Sequence, residues 1–239
     1  MNLVLDIGNT NVKLGLFDNG EMIDHQLVGV FSEQYLRGFF AQKPGIKNLC
    51  ISNTGFVFQS LESICKEFGI KYINVDLECK LPILIKYDTP NSLGSDRIAL
   101  ASAASIKYPG DILVIDLGTC ITYDVVLKKT YIGGKISPGL KMRLLALNNY
   151  TAYLPYVDFK RPQNLIAQST EEAILLGVFE GIVSEINNTI ENYKLRYPDM
   201  SIILTGGDVS IFQKDLQSIN FIHHYLLMHG LNYIIACNE

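Results

Sequence analysis

The stretch Leu3-Val4-Leu5-Asp6-Ile7-Gly8-Asn9-Thr10 has a counterpart later in the chain, Leu113-Val114-Ile115-Asp116-Leu117-Gly118-Thr119-Cys120. In both copies an aliphatic run favours a β-strand, and the glycine permits a tight reversal. A second apolar run follows each copy at once, at residues 12–17 and 121–127. Each copy therefore predicts a β-hairpin.

Each predicted hairpin is followed by a third strand and then by helices alternating with short strands. Gly20 precedes the strand at 21–28, and Lys128-Lys129 precede the strand at 130–136. The apolar period then changes to that of helices. Helices are predicted near 32–42, 56–68, 95–107, 139–149, 170–196, 209–216 and 225–236, with strands near 48–52, 72–75 and 201–205.

A β-meander followed by αβ units, occurring twice, predicts an α/β protein with a duplicated ribonuclease-H-like fold, as in actin-like ATPases. The turn Tyr108-Pro109-Gly110 marks the boundary. We therefore expect an N-terminal domain at 1–108 and a C-terminal domain at 109–239, arranged around a central nucleotide cleft. The alternative is two unrelated α/β domains that share a short strand by chance.

Composition and charge exclude several classes of protein. Of the 239 residues, 48% are hydrophobic and 18% are charged, and the formal net charge is −4. These values are typical of a folded globular protein, and the mixed charge argues against nucleic acid as a partner. The five cysteines form no Cys-x-x-Cys pair, which argues against a zinc site and a disulfide framework.

The amino terminus bears on location. Met1 to Asp6 runs straight into a predicted strand, without the basic and apolar regions of a signal peptide. No apolar run approaches the roughly 20 residues that a membrane span needs. We therefore expect a cytoplasmic protein in a reducing compartment, with no membrane partner.

The repeated aspartates predict a phosphate and metal site. An acid at the end of a buried strand is costly unless it is paired or bound to a cation, so Asp6 and Asp116 suggest a shared Mg²⁺–phosphate site. Gly8 and Gly118 let the backbone approach a phosphate closely. The candidate hydrogen-bond donors beside these glycines are Asn9, Thr10, Asn11 and Thr119.

Two further features of this predicted site have more than one interpretation. Lys13 either adds a cation on the first hairpin or points to solvent. The turn Thr205-Gly206-Gly207-Asp208 either passes under the adenosine of a nucleotide or is an ordinary strand-to-helix connection capped by Asp208. The sequence has neither a P-loop nor a Gly-x-Gly-x-x-Gly motif.

A candidate catalytic acid lies between the two repeats. The loop from Tyr87 to Gly94 leads into an alanine-rich helix, which places Asp96 in the first helical turn beside Arg97. A kinase needs a carboxylate to accept the proton of the attacking hydroxyl and a cation to hold an anionic substrate. The competing interpretation is that Asp96 only complements the helix dipole.

Together these residues resemble the type III pantothenate kinases of bacteria, over nearly the whole chain. The motifs that carry the resemblance are Asp6-Ile7-Gly8-Asn9-Thr10, Gly94-Ser95-Asp96-Arg97, Asp116-Leu117-Gly118-Thr119, Gly133-Gly134-Lys135-Ile136-Ser137-Pro138-Gly139, Thr170-Glu171-Glu172-Ala173 and Thr205-Gly206-Gly207-Asp208. Where the family usually has a Ser-Ser-Val-Val-Pro-like turn, this chain has Ser52-Asn53-Thr54-Gly55. We expect this departure to affect neither aspartate of the pair nor Asp96.

The resemblance implies phosphorylation of pantothenate by ATP, the first step of coenzyme A synthesis, with Asp96 as general base. It implies that ATP phosphates are held by Asp6, Ile7, Gly8, Asn9, Thr10, Asn11, Val12 and Lys13, and that Thr119 also contacts ATP. Pantothenate contacts are implied at Tyr87, Gly94, Ser95, Asp96, Arg97 and Thr170. Mg²⁺ is expected at Asp6, directly or through water, and K⁺ or NH₄⁺ near Asp116. Family members are homodimers whose substrate pocket lies at the subunit interface.

Some assignments keep a structural alternative. Ser169-Thr170-Glu171-Glu172 is also a capping box for the helix that follows, and the 133–139 stretch is expected to have a structural part in closing the pocket. Tyr150 and Tyr153 are expected to pack in the core rather than line an interface. The alternative functions are a kinase of the same fold with another small-molecule acceptor and a non-catalytic nucleotide-dependent regulator.

Overall fold

The computed structural model describes residues 1–8, 11–55 and 58–239. The strands within these ranges are β1 (Asn2–Ile7), β2 (Val12–Asp18), β3 (Glu21–Val28), β4 (Asn48–Asn53), β5 (Lys71–Asn74), β6 (Leu84–Ile85), β7 (Ile112–Leu117), β8 (Cys120–Leu127), β9 (Thr130–Pro138), β10 (Ser201–Thr205) and β11 (Phe221–Ile222). The helices are α1 (Glu33–Gln42), α2 (Leu61–Glu67), α3 (Ser95–Lys107), α4 (Leu140–Asn149), α5 (Thr170–Arg196), α6 (Val209–Phe212) and α7 (Leu226–Asn238).

The first sheet has five strands in the order β3-β2-β1-β4-β5. β1 pairs with β2 as an antiparallel hairpin and with β4 in parallel, so the predicted meander continues into αβ units. Because side chains alternate along a strand, Leu3, Leu5 and Ile7 share one face, where they belong to a core cluster with side chains of α1 and α2. Asn2 and Asp6 lie on the opposite face.

The second sheet has six strands in the order β11-β10-β7-β8-β9-β6. β10 runs parallel to β7, with Thr205 beside Asp116 in the register. β6 and β11 were not predicted, since each has two residues and so has no period to detect. Both halves of the chain therefore open with the predicted β-meander.

Two predicted helices are shorter than expected. The helix expected at 56–68 is α2, which begins at Leu61, and residues 56 and 57 lie outside the described ranges. The helix expected at 209–216 ends at Phe212. Beyond the helix, the Asp215 amide donates a 2.9 Å hydrogen bond to the Phe212 carbonyl, three residues back. Arg161 donates to the Asp215 carboxylate. These contacts turn the chain out of the helix.

The described chain forms two compact units. The first contains Met1–Pro109, Val126–Gly133 and Tyr225–Glu239, and the second contains Gly110–Val125 and Gly134–His224. The boundary predicted at residue 108 lies one residue before Pro109, where the first segment of the first unit ends. The C-terminal helix, however, belongs to the first unit and not to the second. There α7 packs on α3 and β1, and Asn2 donates a 3.0 Å hydrogen bond to Asn232 of α7.

Helix α5 is long and apolar enough, by length and composition, to cross a membrane, and it is the one such helix in the described residues. Core helices of soluble proteins meet the same criterion. Its residues Ile182 and Ile186 are fully buried within the second unit. Between them, Glu185 forms an ion pair with Arg143 of α4. These contacts are those of a core helix.

The expectation that Tyr150 and Tyr153 pack in the core is wrong. Tyr150 is 88% exposed and Tyr153 is 96% exposed. Both follow the end of α4, where the chain has left the helical face that buries Leu140 and Leu144. Two neighbouring aromatic side chains are thus presented to solvent.

Candidate active site

The β1–β2 hairpin holds the first predicted phosphate site. Asp6 is the last but one residue of β1, and its side chain lies on the face of the sheet opposite Leu5 and Ile7. Lys13, half-exposed on β2, places its Nζ 3.5 Å from Asp6 Oδ2. The Gly8 amide donates to the Asn11 carbonyl at 3.0 Å and closes the turn. The predicted residues Asn9 and Thr10 lie outside the described residues.

The Asp6 carboxyl is buried next to other polar groups. Burial raises its pKa above the ordinary value, while Lys13 acts in the opposite direction. The negative charge of Asp96 raises the pKa further, and a hydrogen bond with Ser52 lowers it. Asp6 and Asp96 are therefore close enough to interact electrostatically, which brings the predicted phosphate site and the predicted base together within the first unit.

The turn Ser52-Asn53-Thr54-Gly55 lies inside this site, but its contact with Asp6 is made by Ser52, the position at which the family turn also has serine. The expectation that the departure leaves the aspartates unaffected stays a prediction. Ser52 sits beside Asp6 in the parallel register of β4 and β1. Its Oγ lies 3.2 Å from Ser95 Oγ, and the Asn53 amide donates to Ser95 Oγ at 2.9 Å. The turn thus contacts both β1, through Ser52 and Asp6, and the start of α3, through Ser95. The sequence alone does not predict these contacts.

Helix α3 presents Asp96 and Arg97 from its first turn. Gly94 precedes the helix and offers no capping side chain, while Asp96 Oδ1 accepts a 2.8 Å hydrogen bond from the Arg97 amide. The carboxylate thus satisfies one of the unpaired amides at the helix start and gains from the helix dipole. The structural interpretation of Asp96 and a catalytic role are compatible, because the second Asp96 oxygen is not used by this bond.

Tyr131 of β9 connects two predicted substrate contacts, and the sequence analysis missed it. It is fully buried in the first unit, with its ring centroid 5.9 Å from the Tyr87 ring and 5.9 Å from Arg97 Cζ. An aromatic face near a guanidinium supplies a cation–π interaction. The sequence signal that could have pointed to Tyr131 is the Gly133-Gly134 motif, which begins two residues after it.

A pocket of about 370 Å³ in the first unit adjoins the start of α3. Gly94 and Ser95 line it, whereas Tyr87 and Arg97 instead contact Tyr131. The other lining residues are Asn53, Asn74, Val75, Asp76, Leu77, Glu78, Pro90, Asn91, Ser92, Leu93 and Ile98. The lining is mainly polar, which suits a hydrophilic ligand.

In the second unit, β7 places Asp116 beside the predicted adenosine turn. Gly206 has a φ of +105°, which disfavours other residues, and a Cβ at this position would collide with Asp116 Oδ1 and the Leu117 carbonyl oxygen. The two oxygens therefore face the same small space. Asp208 stands at the start of α6 without a side-chain capping bond, and burial raises the pKa of its carboxyl. Asp208 is therefore the N-cap residue of α6, as the connection interpretation expects, but its side chain does not cap the helix.

Thr119 and Thr170, the other predicted contacts, also belong to the second unit. Thr119 lies in the β7–β8 turn, which the Gly118 amide closes by donating to the Cys120 carbonyl at 3.1 Å. Thr170 is exposed in the first turn of α5. Ser169 Oγ accepts from the Glu172 amide at 3.2 Å, and Glu172 Oε2 accepts from the Gln168 amide at 3.1 Å. The predicted helix cap is thus formed.

The donor set at each aspartate decides which cation it fits. In the described part of the chain, no group of three or more His, Cys, Asp or Glu side chains could hold a metal ion. Mg²⁺ is commonly bound by one or two carboxylates together with substrate phosphates and water, so the single carboxylate of Asp6 fits it. At Asp116, a carboxylate and a carbonyl oxygen together are donors that suit K⁺.

Comparison with known proteins identifies the family. The family model of type III pantothenate kinase matches residues 2–192. The type III pantothenate kinase of Christiangramia forsetii is 39% identical over 244 residues, covering 100% of this chain and 99% of that protein. The type III pantothenate kinase of Phocaeicola vulgatus is 37% identical over 241 residues, again covering 100% and 99%.

Solved structures agree on the fold. A conserved Campylobacter jejuni protein described as a Baf family transcriptional activator superposes with a TM-score of 0.61 at 22% identity, covering 99% of this chain and 98% of that one. The inorganic polyphosphate/ATP-glucomannokinase of an Arthrobacter species gives 0.53 at 13% identity, covering 99% and 98%. The predicted duplicated ribonuclease-H-like, actin-like fold is confirmed. Because the family model spans most of the chain and the relatives match it from end to end, this chain belongs to the type III pantothenate kinase family.

Proposed function

We propose that this protein transfers the γ-phosphoryl group of ATP to the primary hydroxyl of pantothenate, giving 4'-phosphopantothenate, in the cytoplasm. One observation carries the catalytic part of this proposal. Asp96 lies at the start of α3, next to the buried Arg97 and within electrostatic range of Asp6. The first unit therefore contains the acid proposed for the phosphate site, Asp6, together with the proposed base Asp96 and a cation for the acceptor, Arg97.

Asp96 acts as the general base. Its Oδ1 is occupied by the Arg97 amide, so Oδ2 is the atom that takes the proton of the attacking hydroxyl. The hydrogen bond fixes the orientation of the carboxylate at the start of α3. A carboxylate positioned in this way is worth about 10²- to 10⁴-fold in rate.

Arg97 and Tyr87 bind the acceptor. Pantothenate is a carboxylate, and a guanidinium held against the buried Tyr131 ring is a rigid anion receptor. Gly94 and Ser95 line the polar pocket beside it. Thr170 is the remaining proposed contact with pantothenate.

The nucleotide phosphates are held by residues 6–13, and Thr119 contacts ATP. Asp6 holds Mg²⁺, directly or through water, and Lys13 adds a cation to the same hairpin. Mg²⁺, when bound with ATP, neutralises charge that develops on the phosphates. Asp116 holds a monovalent cation, K⁺ or NH₄⁺, with the neighbouring Leu117 carbonyl.

The active form is a homodimer with the substrate pocket at the subunit interface. Support comes from Tyr150 and Tyr153, two exposed aromatic residues that follow α4. Aromatic side chains are enriched in interfaces between subunits.

A coupled ADP-release assay tests the proposed function. Pantothenate should stimulate ADP release, more strongly with K⁺ or NH₄⁺ than with Na⁺, whereas glucose and N-acetylglucosamine should not. Absence of pantothenate stimulation under every cation would refute the proposal. Stimulation by a sugar alone would favour the alternative acceptor.

A further inference from the structure

We propose that Arg143 and Glu185 are positioning residues for the nucleotide site, acting through the turn Ser137-Pro138-Gly139. The two side chains clamp this turn against the β7–β8 loop that carries Thr119. All of these residues lie in the second unit. The inference rests on the proposed function, because it assigns the clamp to ATP binding.

The clamp is a closed set of hydrogen bonds. Arg143 Nε donates to the Pro138 carbonyl at 2.8 Å, and its Nη2 donates to Ser137 Oγ at 2.9 Å. The same guanidinium pairs with Glu185 Oε2, which also accepts from Ser137 Oγ at 3.0 Å. Ser137 and Pro138 are thus tied, through Arg143, to Glu185 of helix α5.

A fifth residue fixes the acid itself. The hydroxyl of Tyr123, which is fully buried on β8, donates to Glu185 Oε1 at 2.7 Å. Partial burial acts to raise the Glu185 pKa, but hydrogen bonds from Arg143, Tyr123 and Ser137 hold it below its ordinary value. The carboxylate therefore stays ionised, and the ion pair with Arg143 persists at neutral pH.

The clamped turn touches the loop of the nucleotide site directly. The Gly139 amide donates to the Thr119 carbonyl at 3.1 Å. A Cβ on Gly139 would lie 2.5 Å from that carbonyl oxygen and would also collide with the Gly118 carbonyl. A side chain at this position would not permit this approach, so a displacement of the 137–139 turn would break its hydrogen bond with the Thr119 carbonyl or shift Thr119.

The experiment uses Arg143→Met, Glu185→Gln and the double variant in the full-length protein. Each single variant should raise the KM for ATP about five- to tenfold and leave the KM for pantothenate within about twofold. The double variant should be no worse than the poorer single variant, because residues of one network are not additive. The KM for ATP of Arg143→Lys should lie between those of wild type and Arg143→Met. Lysine keeps the positive charge but cannot donate through two separate nitrogen atoms, as the arginine Nε and Nη2 do.

Arg161→Met is the matched control. Arg161 also binds a carboxylate, that of Asp215, and a carbonyl, that of Ile211, in the same unit, but its contacts do not reach the Thr119 loop. It should lose comparable thermal stability with both KM values unchanged. Ser137→Ala, which removes a single hydroxyl, replaces Arg143→Met if that variant does not fold.

The outcomes separate the clamp from the proposed function. If Arg143→Met changes both KM values equally, or neither, the positioning role is overturned. If wild type shows no pantothenate-dependent turnover, the proposed function fails. Binding of a fluorescent ATP analogue without acceptor then tests the clamp alone, and an unchanged Kd in Arg143→Met and Glu185→Gln would overturn it.

Discussion

Lys13 Nζ lies 3.5 Å from Asp6 Oδ2 across the first hairpin, so the strand-end acid that interacts electrostatically with the proposed base Asp96 also has a partly exposed cation beside it. This pair resolves the ambiguity about Lys13: its side chain is half in solvent, yet it contacts the acid. Asp6 is buried, but Lys13 is half in solvent, so water weakens their attraction and the pair adds little stability. The contact is therefore better suited to charge balance at a phosphate site than to holding the hairpin.

Asp6→Asn should make the nucleotide-free protein more stable while greatly reducing turnover. Burial raises the Asp6 pKa, so the Asp6 carboxyl binds a proton more readily in the folded state than in the unfolded state. The stability contributed by Asp6 is therefore present at low pH and is lost as pH rises through the raised pKa. Removing the buried charge should raise the free energy of unfolding by about 1 kcal/mol at neutral pH, because functional residues are often retained at a cost in stability.

Thermal melts of both proteins from pH 4 to 8 measure this effect. The Tm difference should grow with pH. Asp18→Asn, an exposed acid at the end of β2, is the control and should change neither stability nor turnover. A lower Tm in Asp6→Asn at neutral pH would contradict the electrostatic argument.

Asp96→Asn should lower kcat by about 10²- to 10⁴-fold, because the amide cannot accept the hydroxyl proton. The KM for pantothenate should change little, since the Arg97 amide can still donate to the side-chain oxygen of the new amide group. Coupled ADP release measures both. Asp88→Asn, in the exposed loop before α3, is the matched control. Near-normal turnover in Asp96→Asn would exclude Asp96 as the base.

Tyr131→Leu should raise the KM for pantothenate about tenfold, because Arg97 and Tyr87 lose the ring that they share. Tyr131→Phe keeps the ring and should remain closer to wild type. The KM for ATP should be unaffected in both. Initial-rate kinetics with each substrate varied will test this, and an equal effect on both substrates would indicate general destabilisation instead.

Gly230→Ala should destabilise the protein by about 2–3 kcal/mol. A Cβ at this position would collide with the carbonyl of Ala99, where α7 crosses α3 backbone to backbone. Gly177→Ala in α5 is the matched control, since nothing lies within 4 Å of its added Cβ. That change should instead stabilise by about 0.5–1 kcal/mol. Urea unfolding of both variants gives the comparison.

Tyr150→Lys combined with Tyr153→Lys should reduce the mass in solution from about twice 26.7 kDa to the single-chain value and abolish turnover. Charges at an apolar contact between subunits are costly. Light scattering after size exclusion measures the mass. Leu195→Lys, another exposed apolar position, should leave it unchanged. A monomeric wild type with full activity would refute the shared site.

The sequence by itself determined the duplicated meanders, most helices and the candidate acids. Local chemistry is sufficient for these features: aliphatic runs, a glycine after each aspartate and a helical period following Gly94. Even the capping box at Ser169 and Glu172 is confirmed, because a cap depends on residues four apart or fewer. The resemblance then led to the family to which the chain belongs.

Only the tertiary structure decided which distant groups meet at each candidate residue. Ser52 reaches Asp6 through a parallel register between β1 and β4, and Tyr131 reaches Arg97 from another strand. Glu185 reaches the 137–139 turn across more than 40 residues. No local pattern encodes such pairs, because they arise from the stacking of whole strands and helices. The exposure of Tyr150 and Tyr153 was missed for the same reason.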